Sequence, residues 1–196
     1  VETMRVTTTN GASWSELTNV YDDDGLGGGL VIPYADITET IAYHGYWNTG
    51  GTTPDPSYNR TNNVFRSTID TGRVDITPIV STVRYGPDQK RGRFTLSASP
   101  SSVSRLLVCG VNEAETSRGV FLITNADSAH DAASTAFTTL VTPGASVPYT
   151  RGVLVDDTTA YIFGLNGAIA YSADGATVDD RRGNLITTAE IVGVTG

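Results

Sequence analysis

Short apolar runs closed by glycine, asparagine or aspartate recur along this chain. Runs of about four to eight such residues bounded by turn formers read as β-strands. The clearest case is Ala160-Tyr161-Ile162-Phe163-Gly164-Leu165-Asn166-Gly167, a strand running into a turn. Ala168-Ile169-Ala170-Tyr171 reads as the next strand, and Ser172 to Val178 as a second turn opening a third strand. No amphipathic helix longer than about two turns is predicted, and only Ala132 to Phe137 suits a short helical turn.

The unit recurs. Residues 189–196 repeat 160–167 at Ala, Ile, Gly and the final Gly, with valine for Phe163 and Leu165. Met4 to Thr7 is strand-like, and Thr8 to Trp14 copies the spacing of Ser172 to Val178. The chain end thus supplies the first half of a unit and the chain start the second half. A ring closed by its termini would use this arrangement, and so would a fragment of a longer array. Two looser units follow the same order. One runs from Ile41-Ala42-Tyr43-His44-Gly45 to Val64–Asp70, the other from Leu106–Gly110 to Val120–Asp127. The expectation is one all-β repeat domain over 1–196 with about four units, near 1–18 with 185–196, 36–80, 92–131 and 150–184. Residues 48–63 and 22–29 read as loops.

Composition supports strands and narrows the partners. Gly and Thr are frequent, and aspartate outnumbers glutamate, which suits tight turns. The formal charge is −8 and Lys90 is the sole lysine. Nucleic-acid binding needs clustered cations to displace counterions, so it is not expected. The basic stretch Lys90-Arg91-Gly92-Arg93 reads as a solvated strand start. No apolar stretch approaches the length of a membrane-spanning helix, and membrane insertion is not expected. Cys109 is the single cysteine, so no internal disulfide forms, and its apolar neighbours predict an inert buried thiol.

Thr8-x-Asn10-Gly11-x-Ser13-Trp14 and Ser172-x-Asp174-Gly175-x-Thr177-Val178 resemble the Asp-box, or BNR repeat, whose pattern is Ser/Thr-x-Asp-(x)-Gly-x-Thr-Trp. The first copy has Asn10 for the aspartate, and the second has Val178 for the tryptophan. In that family the motif occupies the hairpin between the third and fourth strands of a β-propeller blade. The resemblance therefore implies an irregular β-propeller-like array, possessing stabilised turns at Thr8, Asn10, Gly11, Trp14, Ser172, Asp174 and Gly175. It says almost nothing about function. A β-sandwich with similar hairpins is the competing architecture.

Candidate chemistry is sparse. Sialidases carry the Asp-box, but their Arg-Ile-Pro signature is replaced here by Val31-Ile32-Pro33, and none of the six glutamates has a telling context. No Gly-x-Ser-x-Gly elbow is present. His130 beside Asp131 reads as a loop histidine. The acidic run Asp22-Asp23-Asp24 offers oxygen ligands for Ca2+ but lacks EF-hand spacing, so no cofactor is expected. Asp156-Asp157 and Asp179-Asp180 read as solvated acidic turns. Asn59-Arg60-Thr61 fits a glycosylation sequon.

Tyr43, His44, Tyr46, Trp47 and Tyr58 bracket the long insertion and form the candidate contact surface, for a glycan or a neighbouring subunit. The resulting expectation is a non-enzymatic structural or adhesive module of an extracellular or virion assembly, such as a phage tail or capsid-associated protein, acting as a homo-oligomer or with other subunits. The alternatives are a glycan-binding or sialidase-like glycan-hydrolysing propeller, and a protein-assembly scaffold.

Overall fold

The computed structural model describes residues 5–6, 11–16, 30–31, 35–37, 41–48, 63–68, 72–81, 83–86, 95–112 and 116–181. Within them the chain is all-β. An N-terminal hairpin pairs β1 (Arg5–Val6) with β2 (Ser15–Glu16). The first sheet holds β3 (Leu30–Val31), β4 (Ala35–Ile37), β5 (Ile41–Asn48), β6 (Asn63–Thr68) and β7 (Gly72–Asp75). The second holds β8 (Ile79–Val80), β9 (Val83–Gly86), β10 (Leu96–Ala98), β11 (Leu106–Asn112), β12 (Arg118–Ile123) and β13 (Phe137–Gly144). The third holds β14 (Tyr149–Leu154), β15 (Ala160–Gly164), β16 (Ile169–Ser172) and β17 (Asp179–Asp180).

The three sheets share one antiparallel plan. The third is a plain meander in the order β14-β15-β16-β17. In the first, β3 and β4 divide one edge of β5 between them, and β6 and β7 follow on the other side. In the second, β9 and β10 divide one edge of β11, with β12 and β13 beyond. The first and third sheets are therefore four strands deep, and the second gains a fifth position where β8 pairs with β9.

Alternation along the central strands explains how the sheets stack. Leu106 and Val108 of β11, with Phe121 and Ile123 of β12, face the first sheet and meet Ile41, Tyr43 and Val64. Leu107, Cys109, Val111, Val120 and Leu122 face the third sheet and meet Leu154, Ala160, Ile162 and Ala170. The second sheet is thus covered on both faces, which is why its central strands read as unbroken apolar runs. Each fully buried large apolar side chain contributes about 1.5–3 kcal/mol.

Polar side chains join the sheets where backbone groups would otherwise be stranded. The Tyr43 hydroxyl donates to the Val103 carbonyl, and the buried Arg66 guanidinium donates to the carbonyls of Ala126 and Asp127. Between the second and third sheets, the N–H groups of Gly152 and Leu154 donate to the hydroxyls of Thr95 and Ser97, at 2.9 and 3.0 Å. Strand β10 lies against both β4 and β14, so the first strands of the three sheets gather on one side.

The helical turn expected near 132–137 is absent. Residues 125–136 form successive turns tied by Asn125, Asp131 and Ser134. The second sheet runs on to Gly144, beyond the unit end expected at 131. Residues 189–196, and with them the expected strand pairing of the chain ends, lie outside the described residues.

Candidate functional site

The turn from Ser172 to Val178 joins β16 to β17, the third and fourth strands of the third sheet. Asp174 organises it. Its Oδ1 accepts the N–H groups of Ala176 and Thr177 at 2.9 and 2.7 Å, and its Oδ2 accepts the Thr177 hydroxyl at 2.8 Å. The Gly175 N–H donates to Ser172 Oγ at 3.2 Å. Donation from the Thr177 and Ala176 backbone favours the charged carboxylate and draws its pKa down to about 2. Gly175 has φ +66°, a left-handed conformation in which a side chain would be strained. A Cβ there would also lie 2.9 Å from Leu122 Cδ2 of the second sheet.

A second aspartate turn stands beside the first. Asp156 Oδ1 accepts the N–H groups of Thr158 and Thr159 at 2.8 and 2.7 Å, which lowers its pKa to about 2. The Thr158 hydroxyl reaches the Ala173 carbonyl at 3.4 Å and links the two turns. Asp157 instead accepts the hydroxyls of Ser99 and Ser101, at 2.6 and 2.9 Å. The pair Asp156-Asp157 is therefore a built junction between loops as well as an acidic turn.

The aromatic cluster expected as a contact surface is divided by the structure. Tyr43 and His44 are wholly buried. Tyr43 belongs to the core between the first and second sheets. His44 Nε2 lies 2.9 Å from Ser67 Oγ, itself buried, and the imidazole sits 5.6 Å from the Phe65 ring. These two residues are interior groups because β5 is covered on both faces at this point, and they present no surface. Tyr46 and Trp47 lie further along β5 towards its end. Tyr58 and the sequon at Asn59 lie outside the described residues, as do Thr8, Asn10 and the acidic run Asp22, Asp23 and Asp24.

Gly11 has φ +87°, and Trp14 is 59 % exposed. Cys109 is buried, and desolvation pushes its thiol up to about 12 against the lowering effects of the Thr95 hydroxyl and Arg151. His130 is exposed in a turn, 4.0 Å from the Asp131 carboxylate. Asp131 accepts the Ser134 N–H at 2.7 Å, which lowers its pKa. Among the described residues no group of His, Cys, Asp or Glu is arranged to hold a metal.

No family model, curated protein or solved structure matches the chain.

Another aromatic cluster lies on the face of the third sheet turned away from the second, where Tyr161 is exposed and Phe163 and Tyr171 are half-buried. Cross-strand register aligns Val153, Tyr161, Tyr171 and Asp179 in one row, and Arg151, Phe163 and Ile169 in the next. The Tyr161 and Tyr171 rings are 5.1 Å apart at 47°. The Arg181 guanidinium lies 5.7 Å from the Tyr171 ring centre and pairs with Asp179 at 3.2 Å. The sequence signal was present: Ala160 to Phe163 is apolar at every position, so both faces of β15 are apolar.

Proposed function

We propose that this chain is a non-enzymatic structural or adhesive module that works by associating with other protein subunits, in an extracellular or virion assembly. The observation that carries this reading is the stack of three like meanders whose last member turns an apolar, aromatic face outward. An antiparallel sheet that faces water carries polar residues on that side. One bearing Val153, Tyr161, Phe163, Ile169 and Tyr171 is suited to being covered.

The finer architecture we propose is propeller-like, with Asp-box turns. Two features support it. The Asp174 turn joins the third and fourth strands of its sheet, the position this motif takes in propeller blades. The first strands of the three sheets gather together, as blades do around an axis.

Light scattering on the purified chain, with a glycan array run on the same sample, tests the functional reading. A defined oligomer that binds no sugar is the expected result. A monomer at every concentration that binds a defined glycan would overturn it in favour of carbohydrate recognition.

A further inference from the structure

Arg66 is a cation at a position that packs like a core residue. It lies on β6, and the register sets it opposite Tyr43 of β5 and Val74 of β7. Residues directly opposite in a ladder share a face of the sheet. On this face Tyr43 and Val64 belong to the core between the first and second sheets, and Val74 packs against it. Arg66 is accordingly only 8 % exposed. A charge buried in this way is costly unless it is paired.

The guanidinium is used on one side. Nη1 donates to the carbonyl of Ala126, at 3.3 Å, and to that of Asp127. This pair of acceptors is neutral, and it is itself anchored, since the Ala126 N–H donates to the Ser104 carbonyl at 2.9 Å. Nε is buried and has no hydrogen-bond partner. Nε and Nη2 together form the edge with which a guanidinium grips a carboxylate, through two parallel N–H···O bonds. The two carbonyls on Nη1 hold the plane of the group, so this edge is oriented before anything binds to it. An orphan donor on a buried cation calls for an acceptor, and an anion supplies acceptor and counter-charge together.

We infer that the Nε edge of Arg66 is a binding site for a small carboxylate, seated between the first and second sheets beside residues 126 and 127. A monoanion suits the site better than a phosphate dianion. One negative charge balances one guanidinium, whereas a second would lie uncompensated in a chain whose formal charge is −8. The site needs no second subunit, so it stands or falls apart from the assembly reading.

Titration of the whole chain with acetate tests it, at constant ionic strength with chloride as the balancing anion. The Arg66 Nε–Hε signal, identified as the one missing from Arg66→Lys, is followed by nitrogen–proton NMR. A saturable shift with a dissociation constant on the order of 1 mM is the expected result. No shift, or the same shift in chloride alone, would leave the edge to water and overturn the proposal. Inorganic phosphate saturating the signal at lower concentration than acetate would overturn the carboxylate assignment. Acetate should also raise the urea midpoint of the parent and leave that of Arg66→Met unchanged. An equal rise in Arg66→Met would place acetate elsewhere and sink the site. Should neither variant fold, sequential assignment of the parent identifies the signal. A nuclear Overhauser contact between the acetate methyl and Arg66 Hε then supports the site, and its absence refutes it.

Discussion

Thr95 and Gly152 are joined across two sheets by one hydroxyl, which accepts the Gly152 N–H at 2.9 Å and donates to the Gly152 carbonyl at 3.3 Å. Gly152 lies on β14, an edge strand of the third sheet. Ser97 Oγ accepts the Leu154 N–H, and the Ser99 hydroxyl continues the row by donating to the Asp157 carboxylate. The alternating hydroxyls of Thr95, Ser97 and Ser99, on and flanking β10, thus take the place of a neighbouring strand and blunt the edge.

Thr95→Val keeps the shape and removes the hydroxyl. The Gly152 N–H is then left unpaired in a buried place, a cost of about 1–3 kcal/mol. Urea unfolding should report this loss as a lower midpoint with an unchanged slope. A midpoint equal to that of the parent would mean that the hydroxyl row contributes nothing.

Gly152→Ala should destabilise through space. A Cβ there lies 2.4 Å from Leu107 Cδ2 and 3.3 Å from both Cys109 Sγ and the Tyr161 carbonyl oxygen. Overpacking of this kind costs about 1–3 kcal/mol. Leu107→Ala makes room, so the double variant should lose less stability than the two single losses added together. Simple additivity in a double-mutant cycle would refute the proposed clash.

Asp174 and Asp156 tie stability to acid. Both carboxyls are held at about 2, below their ordinary 3.8, by backbone N–H donors present only in the folded turns. A depressed folded-state pKa stabilises above the unfolded value, and that stabilisation drains away as pH falls from about 4 towards 2. Asp174→Asn with Asp156→Asn should flatten the melting temperature across this window and lower it at neutral pH. A parent-like acid slope in the double variant would assign the effect to other carboxyls.

Cys109 should report opening of the core. Its thiol is buried and pushed up to about 12, so little thiolate forms and none is accessible. Labelling by a disulfide reagent at neutral pH is expected to run at least about 10³-fold slower than for a free thiol, and to accelerate with urea. Rapid labelling of the native protein would place Cys109 in a region that opens on its own.

The all-β class, the burial of Cys109 and the Asp174 turn were legible in the sequence because each is governed by neighbours a few residues away. Apolar runs between turn formers make strands, and an aspartate two residues ahead of its donors makes a turn. The fate of the aromatic residues was not local. Tyr43 and His44 sit in a strand whose two faces are both covered, and the Tyr43 hydroxyl finds its acceptor at Val103, 60 residues away. Tyr161 and Tyr171 have the same alternation, yet Tyr161 is exposed and Tyr171 half-buried. A period of two assigns side chains to faces. Which face is then buried depends on which distant sheet comes to lie on it, and the tertiary stacking alone decides that.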